Sequence, residues 1–62
     1  MKIVLYTEIT FANKTVKEYL QYITNDRVVT VQNPESAKKF KSYYEAKEYV
    51  KNSTTKFNVE EL

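Results

Sequence analysis

Not one of the 62 residues is glycine. Glycine is the residue that enters left-handed backbone conformations without a steric penalty. Every tight turn in this chain must therefore be made by residues that tolerate positive φ less readily, chiefly Asn and Asp. The candidates are spaced along the sequence: Asn13, Asn25-Asp26, Asn33-Pro34 and Asn52. They divide it into short segments, each of a size suited to one strand or one helix. The same absence removes glycine-rich phosphate loops.

The chain also lacks His and Cys. With them go the side chain that most often transfers protons near neutral pH, imidazole and thiolate metal ligands, thiol nucleophiles and disulfides. Paired carboxylates occur at Glu45/Glu48 and Glu60/Glu61, but without the water-poor cleft that acid–base chemistry needs, which about 60 residues seldom build. No calcium-loop spacing is present. The expectation is a protein that is not an enzyme and holds no cofactor or metal.

Net charge is +2, a weak bias, and hydrophobic residues make up 42%. Six Tyr and three Phe are too many for a chain that stays disordered. The longest apolar run, Ile3-Val4-Leu5-Tyr6, is far short of the ~20 residues that cross a bilayer. Charge appears too early after Met1 for a secretory signal, so the chain is expected to stay in the cytosol, without contact with a membrane. Asn13-Lys14-Thr15 and Asn52-Ser53-Thr54 match the glycosylation pattern and carry no weight in that compartment.

Residues 2–10 alternate, with Ile3, Leu5, Ile9 and Phe11 on the core parity and Val4, Tyr6, Glu8 and Thr10 on the other. They read as a strand, followed by a turn at 11–14 around Asn13. Residues 15–24 carry two readings. Val16, Tyr19, Leu20 and Ile23 fall at helical spacing behind a capping box, Thr15 to Glu18. Tyr19, Tyr22, Ile23 and Thr24, with Asn25-Asp26 behind them, favour a strand and a hairpin turn. As a strand, the segment would point Tyr19 and Tyr22 to opposite sides.

Residues 27–32 form the clearest strand. Asn33 then caps a helical turn with Pro34 at its first position, and Ala37 and Phe40 are expected on one side of its continuation. Ser42-Tyr43-Tyr44-Glu45 is a second capping box, opening a helix to about Lys51 with Tyr43, Ala46, Tyr49 and Val50 on one face. Residues 55–62 are either a fourth edge strand or a frayed tail. The expected architecture is one α+β domain over residues 1–62: a three-stranded antiparallel meander, a helical turn and a C-terminal helix. A core this small rarely supplies more than roughly 3–5 kcal/mol, and oligomerisation is a common remedy.

Several segments together resemble small uncharacterised proteins of phages and prophages of Gram-positive bacteria. They are Tyr19-Leu20-Gln21-Tyr22-Ile23-Thr24, Val28-Val29-Thr30-Val31, Asn33-Pro34-Glu35-Ser36-Ala37-Lys38-Lys39-Phe40 and Ser42-Tyr43-Tyr44-Glu45-Ala46. The likeness runs over about residues 19–50 and implies the strand form for 15–24. It also implies an accessory protein made inside a bacterium, of the kind that binds one host protein and blocks or redirects it. It carries no catalytic residues.

Two function classes follow. Tyrosine offers large contact area at low entropy cost. Tyr6, Tyr19, Tyr22 and Arg27 are thus the candidate contacts of a protein-binding module, acting by occlusion or strand addition on a host or phage protein, or by homodimerisation. The rival is a nucleic-acid-binding accessory protein. Residues 36–56 hold six Lys against two Glu, interleaved with tyrosines, which makes Lys38, Lys39, Lys41, Lys47 and Lys51 candidate phosphate contacts. With Arg27 the one arginine, such binding would be weakly sequence-specific.

Overall fold

The structure, a computed structural model, describes residues 2–25 and 27–62. The chain forms β1 (Ile3–Phe11), β2 (Lys14–Thr24), β3 (Arg27–Val31), a 3₁₀ turn (Pro34–Ser36), α1 (Tyr43–Tyr49) and β4 (Asn58–Glu61). The strands make one antiparallel sheet in the order β3-β2-β1-β4. The fold class is α+β, residues 15–24 are strand, and part of the 55–62 segment joins the sheet. Asp26, the second residue of the expected 25–26 turn, lies outside the described residues; Asn25 takes φ 49°.

The β1–β2 turn is a two-residue loop in which both Ala12 (φ 51°) and Asn13 (φ 67°) are left-handed. Two consecutive positive φ values match the twist of the flanking strands. The turn falls within the expected residues 11–14, and Asn13 takes the positive φ its residue type favours. The loop geometry also requires a positive φ at the residue before it, and with no glycine in the chain an alanine takes the strain.

β2 contains a bulge. Its pairing with β3 runs Tyr19 to Val31 and Leu20 to Thr30, then resumes at Tyr22 to Val29, leaving Gln21 as the extra residue. The bulge resets the alternation. Leu20 and Ile23 both face the helix side, and Tyr19 and Tyr22 therefore share the opposite face. Simple period-two counting had placed those tyrosines on opposite sides.

At the bulge β2 also leaves β1. Their ladder ends at Tyr6 to Tyr19, and residues 36–40 enter the opening. The Lys38 amide donates to the Leu20 carbonyl at 3.0 Å. Ile3 and Phe40 exchange two backbone bonds, at 3.1 and 2.8 Å. The Ile23 amide, without a neighbour on that side, donates to the Tyr49 hydroxyl at 3.1 Å. Because this segment is extended, Ala37 and Phe40 fall on opposite sides of the sheet rather than on one side of a helical turn. Phe40 joins Ile3, Leu5, Leu20 and Ala46 in the helix-side core, and Ala37 packs with Val4 and Tyr19 on the other face.

The caps follow the sequence. Asn33 Oδ1 accepts from the Glu35 amide at 2.9 Å, and Ser42 Oγ from the Glu45 amide at 3.1 Å. The Glu45 carboxylate returns to the Lys41 amide rather than to that of Ser42. α1 ends at Tyr49, slightly short of Lys51, and buries Ala46 with Val50 beside it. Tyr43, expected on the covered face, is half exposed. Among the described residues no helix is long and apolar enough to cross a membrane.

Two stability outcomes test these points. Ala12→Gly removes a left-handed alanine and should stabilise the chain by about 0.5–1 kcal/mol in denaturant melts, the relief exceeding the added freedom of the unfolded chain. Phe40→Ala should cost about 3–5 kcal/mol, close to the whole stability of a domain this small, and circular dichroism should show it largely unfolded at 25 °C.

Candidate protein-binding surface

The face opposite α1 carries a built network rather than an open tyrosine cluster. Tyr6 and Tyr19 are cross-strand partners with ring centroids 5.9 Å apart. Lys17 Nζ lies 4.5 Å from the Tyr6 ring centre and 3.0 Å from Glu60 Oε1. The Tyr19 hydroxyl donates to the Glu60 carboxylate at 3.4 Å, a long bond. These groups tie β4 across β1 to β2. Tyr19 is only 6% exposed, so it presents little more than its hydroxyl edge, whereas Tyr22 is 45% exposed and Arg27 is exposed at the start of β3. The structure brings Tyr6 and Tyr19 together and leaves Tyr22 and Arg27 further along the sheet, toward the β2–β3 turn.

The hydrogen bond from Lys17 to Glu60, and then their charge attraction, raise the Lys17 pKa above the ordinary 10.5. A raised lysine pKa contributes stability that is present at neutral pH and is lost as pH climbs through the folded-state value.

The second surface was not foreseen. β4 covers β1 only over residues 3–6, and β3 pairs with β2 only from Tyr19 onward. Residues 7–18 therefore project as a two-stranded arm. Its cross-strand rows are Thr7 with Glu18, Ile9 with Val16, and Phe11 with Lys14 on one face, and Glu8 with Lys17 and Thr10 with Thr15 on the other. The first face continues that of Ile3 and Leu5, and nothing among the described residues covers its outer part. Phe11 is 78% exposed, Ile9 44% and Val16 37%. Ile9 and Phe11 have the parity expected of core residues and yet lie beyond the core. The signal was present in element lengths. A nine-residue strand runs about 30 Å, and a seven-residue helix covers about 10 Å of it.

Most of the candidate phosphate-binding lysines are engaged within the fold. Lys39 Nζ donates to three carbonyls, of Pro34, Glu35 and Ala37, at 3.0, 2.7 and 2.9 Å, which uses all its ammonium protons. Lys38 lies over the Tyr49 and Phe40 rings, Lys47 over Tyr43, and Lys51 pairs with Glu48 at 3.3 Å. Lys41 is exposed. A groove of about 360 Å³ lies between the β2–β3 hairpin and the end of α1, lined by Ile23, Val28 and Tyr49 with the polar 52–54 loop. Among the described residues no group of three or more acidic side chains converges on a point that could hold a metal ion.

Comparison with protein families, with curated proteins and with solved structures returned no match.

Glu60→Gln should return the Lys17 ammonium to the ordinary lysine range, read as a lower titration midpoint by NMR. The accompanying loss of stability should be visible at neutral pH and should shrink as pH rises through the Lys17 midpoint; an unchanged Lys17 midpoint would contradict the pairing.

Proposed function

We propose that this chain is a non-enzymatic protein-binding module whose contact surface is the apolar face of the arm. The observation that carries this reading is the exposure of Ile9, Phe11 and Val16 side by side on a ribbon that no other element among the described residues covers. Exposed apolar patches ringed by polar groups mark interaction sites. Here Glu18 and Lys14 border the patch at its two ends. The patch ends on Phe11, and aromatic residues are enriched at the core of protein interfaces. The groove beside Tyr49 and the exposed Tyr22 and Arg27 extend the available contact area toward the other end of the sheet.

The resemblance to phage and prophage proteins supplies the setting. The partner is a host or phage protein in the bacterial cytosol, occluded by the arm or redirected by it. A nucleic-acid role is disfavoured by Lys39, whose three ammonium protons all go to carbonyls, and by Lys38, which lies over the Tyr49 and Phe40 rings. It is disfavoured too by the arm, a ribbon of the width that enters a major groove. Its charges are balanced: Glu8 and Glu18 against Lys14 and Lys17.

The test is a paired substitution, Ile9→Ser with Phe11→Ser, at positions that contribute little to the core. Wild-type chain immobilised on a support should retain protein from a bacterial lysate, or associate with itself in sedimentation. The variant, still folded by NMR, should lose about tenfold or more of that association. Equal association by the variant would overturn the reading. Binding to single-stranded or duplex nucleic acid that survives moderate salt would point to the rival instead.

A further inference from the structure

We propose that the face of the arm pairs with the same face of a second copy of this chain, an inference that rests on the arm being the binding surface. The argument comes from the order of charges on that face. The row nearest the core is Thr7 with Glu18, the middle row Ile9 with Val16, and the outer row Phe11 with Lys14. The face is thus negative at one end, apolar in the middle and positive at the other, with both charges on β2.

Consider two such faces stacked about 10 Å apart and related by a two-fold axis. An axis lying across the strands through the middle row leaves β1 over β1 and β2 over β2. It sets Ile9 on Ile9 and Val16 on Val16. It also sets Phe11 on the Thr7 of the other copy, and Lys14 on its Glu18, each of these two contacts occurring twice. An axis along the strands would instead set Phe11 over Lys14 and Thr7 over Glu18, with no charge pair formed. The charge order therefore selects one self-complementary register. Successive rows are about 6.8 Å apart, so the Ala12-Asn13 turn of one copy ends just short of Leu5 of the other, at the margin of the helix-side core.

Both charged groups are free to take these roles. Glu18 Oε1 accepts from Thr30 Oγ1 at 2.7 Å, which steadies the carboxylate, and Oε2 has no protein hydrogen bond among the described residues. Lys14 makes no ion pair among the described residues. Lys17, whose charge could compete for Glu18, belongs to the opposite face and is held by Glu60. Three rows span about 20 Å by 10 Å, well under the roughly 800 Å² per partner of a standard interface. The dimer should be weak and reversible, with a dissociation constant on the order of 100 µM.

The experiment is sedimentation equilibrium of the whole chain from about 10 µM to about 1 mM, a range that brackets that constant. Two single variants accompany it, Lys14→Glu and Glu18→Lys, each confirmed folded by NMR. Each variant alone should self-associate at least about tenfold more weakly than wild type, because both cross-copy pairs become repulsive. An equimolar mixture of the two should recover wild-type association, because the mixed dimer holds one native Lys–Glu pair and one with its signs reversed. A wild-type chain that stays monomeric at the top of the range overturns the proposal. If the Ile9/Phe11 variant then still loses retention of another protein, the face belongs to that protein and the binding-module reading stands by itself. Wild-type dimers unaffected by either charge reversal overturn this register.

Discussion

The fold depends on a gap in its own sheet. β1 and β2 cannot stay paired to their inner ends, because the extra residue at Gln21 turns β2 away after Tyr19. The opening exposes backbone donors and acceptors on Ile3, Leu20 and Ile23, and buried groups of that kind are costly unless bonded. Residues 36–40 and the Tyr49 hydroxyl supply the partners. The same insertion carries Phe40 to the helix side and Ala37 to the other, so one short extended segment seeds both apolar clusters. Phe40 is the largest fully buried side chain, and on the helix side it packs with Ile3, Leu5 and Leu20 beneath Ala46 of α1.

This arrangement explains which parts of the fold could be read in the sequence. Local grammar was reliable where the chain interacts with itself nearby. The Asn33 and Ser42 caps, the β3 segment and the placement of turns at Asn13 and Asn25 all rest on contacts within a few residues. Parity counting failed at Gln21, because nothing in the residue types Leu-Gln-Tyr marks a bulge; the backbone groups it frees are bonded by residues 36–40, which are distant in sequence. The same distance hid the opposed placement of Ala37 and Phe40.

The candidate surface was partly legible for a related reason. Tyr6 was singled out as an aromatic on the parity opposite the core residues, and it lies on the face opposite α1; which of Tyr19 and Tyr22 shared that face was left open, and the bulge puts both there. The availability of Tyr6 and Tyr19 depends on Lys17 and Glu60, and the Glu60 register is fixed only when β4 lands on β1. Ile9 and Phe11 showed the opposite error. Their hydrophobicity suggested burial, and only the mismatch between long β1 and β2 and short α1, β3 and β4 reveals that they outrun the core. Hydrophobic pattern reports which side of a strand a residue takes. It does not report how far along that strand the cover extends.

The pairing of β1 with β4 has a consequence in time. Ile3 meets Glu61 across the ladder, so everything from residue 3 to residue 61 must exist before that edge can close. The β1–β2 hairpin needs only its own two strands and a two-residue turn, and short-range closure of that kind is fast. On a ribosome, then, the arm can form while residues 36–40 are still unmade or confined, with Leu5 and Leu20 uncovered beside it. In that interval the nascent chain can hold a paired β1–β2 arm before its core is closed.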